Sequence, residues 1–192
     1  MGKIAEAALH GVDFIQLREK DLSVRDLEVL AAEAVHAVRK AGAQTRLLIN
    51  SRTDVAIASQ ADGVHLRSTD VSPQQIRSIH RSLSSAWGPD PVVGVSCHNP
   101  EEVKRAAENA ASFAVLAPVF EKPGSHPAGL EMLARACRES IRVLALGGVT
   151  LENAPACLQA GAAGVAGIRL FQNGDLAKTV AVLRSNARSQ TL

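Results

Sequence analysis

The sequence predicts an α/β fold, a TIM (β/α)8-type barrel, and three observations carry that expectation. Short apolar runs recur along the chain and break off at polar or glycine-rich tips. Helical signals fill the segments between them, and no Asn-Gly or Asp-Gly hairpin turn joins one run directly to the next. The runs are FIQLREK (14–20), LLINSR (47–52), GVHLRSTD (63–70), VVGVSCHN (92–99), VLAPVFEK (115–122), VLALGGV (143–149) and GVAGIR (164–169). Such runs suit parallel strands buried on both faces, and their polar ends lie where this architecture keeps its chemistry.

Taken in order, the elements agree. Residues 3–10 read as a helix. Ser23, with Asp26 three residues on, forms a capping pattern, followed by Leu27, Leu30, Ala31, Ala34, Val35 and Val38 at helical spacing until Gly42. Ser72-Pro73 and Asn99-Pro100 each place a cap residue before a first-turn proline, and Glu101 and Glu102 sit where the helix dipole favours negative charge. Thr150 is expected to open another helix, and residues 175–188 the last, with Leu176, Val180 and Leu183 inward. The G-x-G-x-x-G fingerprint of an open dinucleotide-binding sheet does not follow the first run. Polar tips on nearly every run, rather than at one switch point, favour the closed form. Only seven runs are found, where closure needs eight. The barrel is therefore expected to lack its first β-strand, which would lie upstream of Met1. The gap is expected to be covered by a partner chain or another segment, because open strand edges invite association.

One domain, residues 1–192, is expected, long enough for a single core. A net charge of +2, with cations scattered among Asp and Glu, points to neither a nucleic-acid nor a membrane surface. No apolar stretch approaches a membrane span and the N-terminus lacks a signal-peptide core, so a cytoplasmic location is expected. Cys97, Cys137 and Cys157 are widely separated and form no C-x-x-C pair, which argues against disulfides and a zinc site.

Several strand tips carry candidate chemistry. Gly147-Gly148 and the segment 164–169 fall in the two loops that usually cradle phosphate in this fold; the alternative is glycines that merely relieve crowded turns. Arg169 adds a cation there or faces solvent. Gln16, Arg18 and Lys20 alternate along one strand end and so lean to one face, suiting an anionic group such as a diphosphate, or else make an ordinary solvated end. Asn50, Ser51 and Arg52 end the next run. Asp70 either holds Mg2+ together with substrate phosphates or caps the helix that begins near Ser72. His65 reads as a core histidine. Ser96 is placed to donate to a substrate, whereas Cys97 has no partner in sequence that would make it a nucleophile. The loop 121–129, with Lys122, Gly124, Ser125 and His126, reads as a closing lid or as a long surface turn.

Six segments together resemble the thiamine-phosphate synthases and their relatives, the TenI-type thiazole tautomerases: QLREKDLS (16–23), INSRTDVA (49–56), ADGVHL (61–66), GVSCHNPEE (94–102), PVF with GLE (118–120 and 129–131) and LGGVTLENA (146–154). The resemblance implies the same barrel, and a reaction that joins a pyrimidine-methyl diphosphate to a thiazole phosphate, releasing pyrophosphate and giving thiamine phosphate. It implies Gln16, Arg18, Lys20 and Asn50 at the diphosphate, Asp70 at Mg2+, and Ser96 near the reacting centre. Gly148 and Gly167 fall at the thiazole phosphate, and Lys122 is expected to be catalytic together with Ser96. Small phosphorylated substrates, a homo-oligomer and no nucleic-acid or membrane partner complete the expectation. The chain departs from the family pattern at Ser51, where synthases carry a metal-binding Asp, at Arg67, where they carry Gly, and in the lid. At the position of the tautomerase histidine stands Pro118. Three functions stay open on these residues: the synthase, a tautomerase using His98 or His126, and a non-catalytic thiazole- or thiamine-phosphate-binding protein.

Overall fold

The computed structural model describes residues 1–42, 44–83, 87–121 and 127–188, and the chain divides into two units, Met1–Val93 and Gly94–Leu192. The first unit holds α1 (Gly2–Leu9), β1 (Phe14–Leu17), α2 (Val24–Lys40), β2 (Arg46–Asn50), α3 (Thr53–Ala58), β3 (Gly63–Leu66) and α4 (Pro73–Ser82). Strands β1 and β2 pair in parallel with Gln16 opposite Leu48, and β2 pairs with β3 with Asn50 opposite His65. Leu47, Leu48 and Ile49 are all essentially inaccessible to solvent. Successive strand residues point to opposite faces, so β2 is covered on both, as a parallel sheet requires.

The helices form where the sequence places caps. Ser23 Oγ accepts the Asp26 N–H at 3.2 Å, and α2 buries Leu27, Ala31, Ala34, Val35 and Val38 along one stripe. Ser72 and Gln75 form a full capping box at the start of α4. Trp87 is buried and donates its indole N–H to the Ala61 carbonyl at 2.8 Å, which satisfies the one polar atom of a large core side chain.

The second unit continues the alternation. Strand β4 (Val92–Cys97) begins in the first unit, where the Val92 N–H donates to the Asp62 carbonyl at 2.9 Å. It is followed by α5 (Pro100–Glu108), β5 (Phe113–Leu116), α6 (Gly129–Ala136), β6 (Val143–Ala145), α7 (Ala154–Gln159), β7 (Gly164–Val165), α8 (Arg169–Gln172) and α9 (Leu176–Arg188). The pairs β4–β5, β5–β6 and β6–β7 are parallel. The strand order follows the chain from β1 to β7. Seven parallel strands alternating with helices make the TIM-barrel-like architecture expected, with the first strand of an eight-strand count not among the described residues. Among the described residues no helix is long and apolar enough to cross a membrane.

Several expectations shift in detail. Strand β5 starts earlier than expected, at Phe113, and stops at Leu116, because Pro118 has no N–H to extend the ladder. Strand β6 stops at Ala145, ahead of Gly147 and Gly148, whose φ angles are +94° and +66°. Thr150 does not open a helix: its N–H donates to Asn153 Oδ1 at 2.8 Å, closing a turn, and α7 starts at Ala154. Arg169 opens the short α8 rather than ending a strand.

Two stability effects follow from this packing. A Cβ built on Gly63 would stand 1.9 Å from the Val92 carbonyl oxygen, a backbone atom that cannot swing aside. Gly63→Ala is expected to lower unfolding free energy by about 3 kcal/mol, measured by urea denaturation. His65 lies buried on β3. Burial pushes its imidazole down to about 4, helped by the positive charge of Arg18 and opposed by Asp70. The unfolded chain protonates His65 near pH 6.5 and the folded protein does not, so stability falls as the pH drops from 6.5 towards 4, by up to about 3 kcal/mol. Urea midpoints followed across that window should show the loss, and His65→Gln should flatten it.

Candidate functional site

In the first unit the strand tips are joined by one line of hydrogen bonds. Gln16, the exposed residue of β1, donates from Nε2 to Asn50 Oδ1 at 3.2 Å, and Asn50 Nδ2 donates to Ser51 Oγ at 3.3 Å. Ser51 Oγ then donates to Asp70 Oδ2 at 2.6 Å. Ser51 holds a left-handed backbone at φ +58°, an uncommon conformation for a residue with a Cβ. Its N–H donates to the His65 carbonyl at 2.9 Å, so both its backbone and its hydroxyl are fixed by β3 and the turn beyond it.

Asp70 is where this line ends. Its Oδ2 also accepts the Arg67 backbone N–H at 2.8 Å, while Oδ1 accepts Arg67 Nε at 3.1 Å and pairs with Arg67 Nη2 at 2.9 Å. The carboxylate is only 12% exposed and the guanidinium side chain 64%. Burial pushes the Asp70 carboxyl up, but the Ser51 hydroxyl, the Arg67 N–H and the Arg67 guanidinium together outweigh burial and hold it below the usual carboxylate range. Asp70 therefore stays ionised and fully engaged. Ser72, not Asp70, caps α4.

In the second unit, β4 delivers Ser96, Cys97 and His98. Ser96 is half-buried opposite Val115 of β5. Cys97 is buried, and burial, with Glu102 nearby, pushes its thiol up to about 12, which leaves no thiolate for nucleophilic chemistry. His98 is exposed, and its Nδ1 lies 2.8 Å from the Ala117 carbonyl oxygen. A carbonyl only accepts, so Nδ1 carries the hydrogen and Nε2 keeps a lone pair in the neutral ring.

The glycine loops lie beyond β6 and β7 of the same sheet. A Cβ on Gly147 would approach Pro118 to 2.6 Å, one on Gly148 would approach Phe120 Cβ to 2.8 Å, and one on Gly167 would approach Leu170 Cβ to 3.0 Å. The crowding alternative is therefore real at each position. The loops also hold open donors: among the described residues, the N–H groups of Gly148, Val149, Gly167 and Ile168 have no hydrogen-bond acceptor. Asn153 braces the first loop by donating from Nδ2 to the Gly148 carbonyl at 3.0 Å. Backbone amides left open at adjacent strand tips are suited to an anion.

The structure brings Gln16, Asn50 and Asp70 into one network, and sets Ser96, Gly148 and Gly167 at the ends of paired strands of one sheet. Arg18 and Lys20 do not continue the alternation of β1, because pairing stops at Leu17; both lie beyond it with exposed side chains. Lys122 and His126 lie outside the described residues. Sequence reasoning missed the role of Arg67, which it read only as bulk at a glycine position. An Arg three residues before an Asp within a turn was the available signal.

These features agree with three comparisons. The thiamine monophosphate synthase family matches residues 1–171. A putative thiamine-phosphate synthase 2 of Aquifex aeolicus is 39% identical over 165 residues, covering 84% of this chain and 83% of its own. A thiamine-phosphate synthase of Roseiflexus is 37% identical over 169 residues, covering 85% of this chain and 68% of its own. The solved structure of a thiamine phosphate pyrophosphorylase from Pyrococcus furiosus superposes with a TM-score of 0.82 at 25% identity, covering 98% of this chain and 89% of that one. By length of match, sequence identity and fold together, the chain belongs to the thiamine monophosphate synthase family.

Proposed function

We propose that this chain, as one domain, is a transferase of thiamine biosynthesis. It couples hydroxymethylpyrimidine diphosphate with a thiazole phosphate to give thiamine phosphate and pyrophosphate. The observation that carries this reading is family membership across residues 1–171. In the reaction the C–O bond to the diphosphate breaks, the electron-rich pyrimidine tolerates positive charge on its methylene carbon, and the thiazole nitrogen forms the new C–N bond. No side-chain nucleophile is required, which is consistent with an inert Cys97 thiol.

Arg18 and Lys20 supply positive charge for the diphosphate, and Gln16 and Asn50, already hydrogen-bonded to each other, orient it. Gly148 and Gly167 offer open backbone N–H groups to the thiazole phosphate. Ser96 donates near the reacting centre, and Lys122 is assigned to the departing pyrophosphate. The resemblance implies Mg2+, and Asp70 is the residue that would hold it. The donor set does not fit: both oxygens of Asp70 are taken by Ser51 and Arg67, and among the described residues no three His, Cys, Asp or Glu side chains gather as a metal site. A cytoplasmic homo-oligomer belongs to the same proposal, supported by the exposed Met1 and Leu9 of the N-terminal helical region, which a second copy would cover.

A thiazole tautomerase is the second reading, favoured by the fixed ring of His98 with Nε2 left as a base. The deciding experiment mixes both phosphorylated substrates with the protein and follows pyrophosphate and thiamine phosphate. Coupling is expected; its absence, with thiazole isomerisation that His98→Asn abolishes, would replace the first reading by the second. Turnover of neither kind with tight thiamine phosphate binding would indicate a binding protein. Arg18→Ala is expected to raise KM for the pyrimidine diphosphate roughly tenfold, the loss of one charge-assisted contact. Ser96→Ala is expected to lower kcat roughly tenfold to a hundredfold while leaving KM near its original value.

A further inference from the structure

We propose that this chain binds its diphosphate ligand without a divalent cation, with the Arg67 guanidinium occupying the cation position at Asp70. The inference rests on the coupling reading above for the identity of the ligand. The geometry supports it in three ways. Four donor contacts already reach the Asp70 carboxylate: Ser51 Oγ and Arg67 N on Oδ2, Arg67 Nε and Nη2 on Oδ1. Two of these do not belong to a mobile side-chain end, since the Arg67 N–H is backbone in a turn and Ser51 is pinned through its own N–H to His65. A Mg2+ ion demands near-octahedral oxygen ligation at close range, so it would have to displace the guanidinium from Oδ1 while Oδ2 stays engaged by Ser51 and the turn, with no second carboxylate to repay it.

Arg67 is also placed to do the cation's work. Its side chain is 64% exposed although its guanidinium is tethered, and it has no further protein partner among the described residues. The remaining guanidinium N–H groups are free to meet phosphate oxygens in the planar, bidentate manner that arginine favours. Asp70 then serves as a positioning residue, holding the guanidinium at the tip of β3 rather than ligating a metal. Arg18 and Lys20, both exposed beyond β1, add positive charge in the same unit.

The test is calorimetric binding of inorganic pyrophosphate to the full chain, in EDTA and again in MgCl2. The affinities are expected to agree within roughly threefold. Arg67→Gly is expected to bind roughly tenfold more weakly in EDTA, through loss of a charged donor, and to regain affinity when Mg2+ is added, because Asp70 Oδ1 is released. Arg67→Gln gives the same loss in EDTA should the glycine variant fail to fold, and thermal melts of each variant report folding. Pyrophosphate binding that EDTA abolishes in the unaltered protein would overturn the inference, as would an Arg67→Gln protein that binds normally in EDTA. The coupling assay run on the same preparation separates the two readings. Coupling with Mg2+ but no binding in EDTA removes this inference and keeps the synthase. EDTA-resistant binding with no coupling supports the inference and removes the synthase.

Discussion

Burial of both faces of the strands is the constraint on which the rest of the molecule depends. Leu47, Leu48 and Ile49 are sealed on successive, opposite faces, and β3 and β5 are buried along their whole length. A strand closed on both faces has no room for an unpaired polar side chain. Polar groups are displaced to the ends, where the backbone leaves the ladder and N–H groups fall free. Gln16, Asn50 and Ser96 each lie at or within a residue of a strand's last position. Chemistry at the tips is thus a consequence of how the core is packed.

Within that frame the first unit achieves positional order by hydrogen bonding rather than by burial. The line from Gln16 through Asn50 and Ser51 to Asp70 links three strands. Asn50, Ser51 and Asp70 are each held by more than one contact, and Gln16 by its bond to Asn50, so the network fixes rotamers that exposed side chains would otherwise sample. The second unit orders its tips differently. Gly147 and Gly148 are demanded by contact with Pro118 and Phe120, and the same close approach leaves amides of that loop open. Crowding and anion binding are not competing explanations there, because glycines that admit tight packing are the ones that bare the backbone.

Much of the fold was legible in the residues. Short, mainly apolar runs marked every strand, and Ser23, Ser72 and Asn99 cap helices where their side chains suggested. What misled was the assumption that a run continues as strand to its polar tip: Arg18, Lys20 and Val119 lie past the last ladder pair, since a strand ends where its neighbour ends, and that partner is distant in sequence. Thr150 does exchange capping-box hydrogen bonds with Asn153, but residues 151–153 form a turn and the helix itself starts only at Ala154. Of the site, the residue types at the strand tips were legible, and the structure joins Gln16, Asn50 and Asp70 through Ser51 by hydrogen bonds. The engagement of Asp70 by Arg67 was not legible, because a turn that folds a guanidinium back onto a carboxylate depends on backbone angles rather than on composition.

The Ser51–Asp70 contact also constrains the order in which this chain can change. A carboxylate introduced at position 51 would meet Asp70 across a gap now spanned by a 2.6 Å hydrogen bond, and two like charges there are tolerable only while a cation lies between them. Arg67 lies on the other carboxylate oxygen, Oδ1, and not in that gap, so it does not separate the two charges while it holds the place beside Asp70 that a metal would need. Positions 51 and 67 are therefore energetically tied: altering either alone passes through an intermediate with an unbalanced carboxylate or an unclaimed one. Drift at this corner of the protein should proceed in coupled pairs.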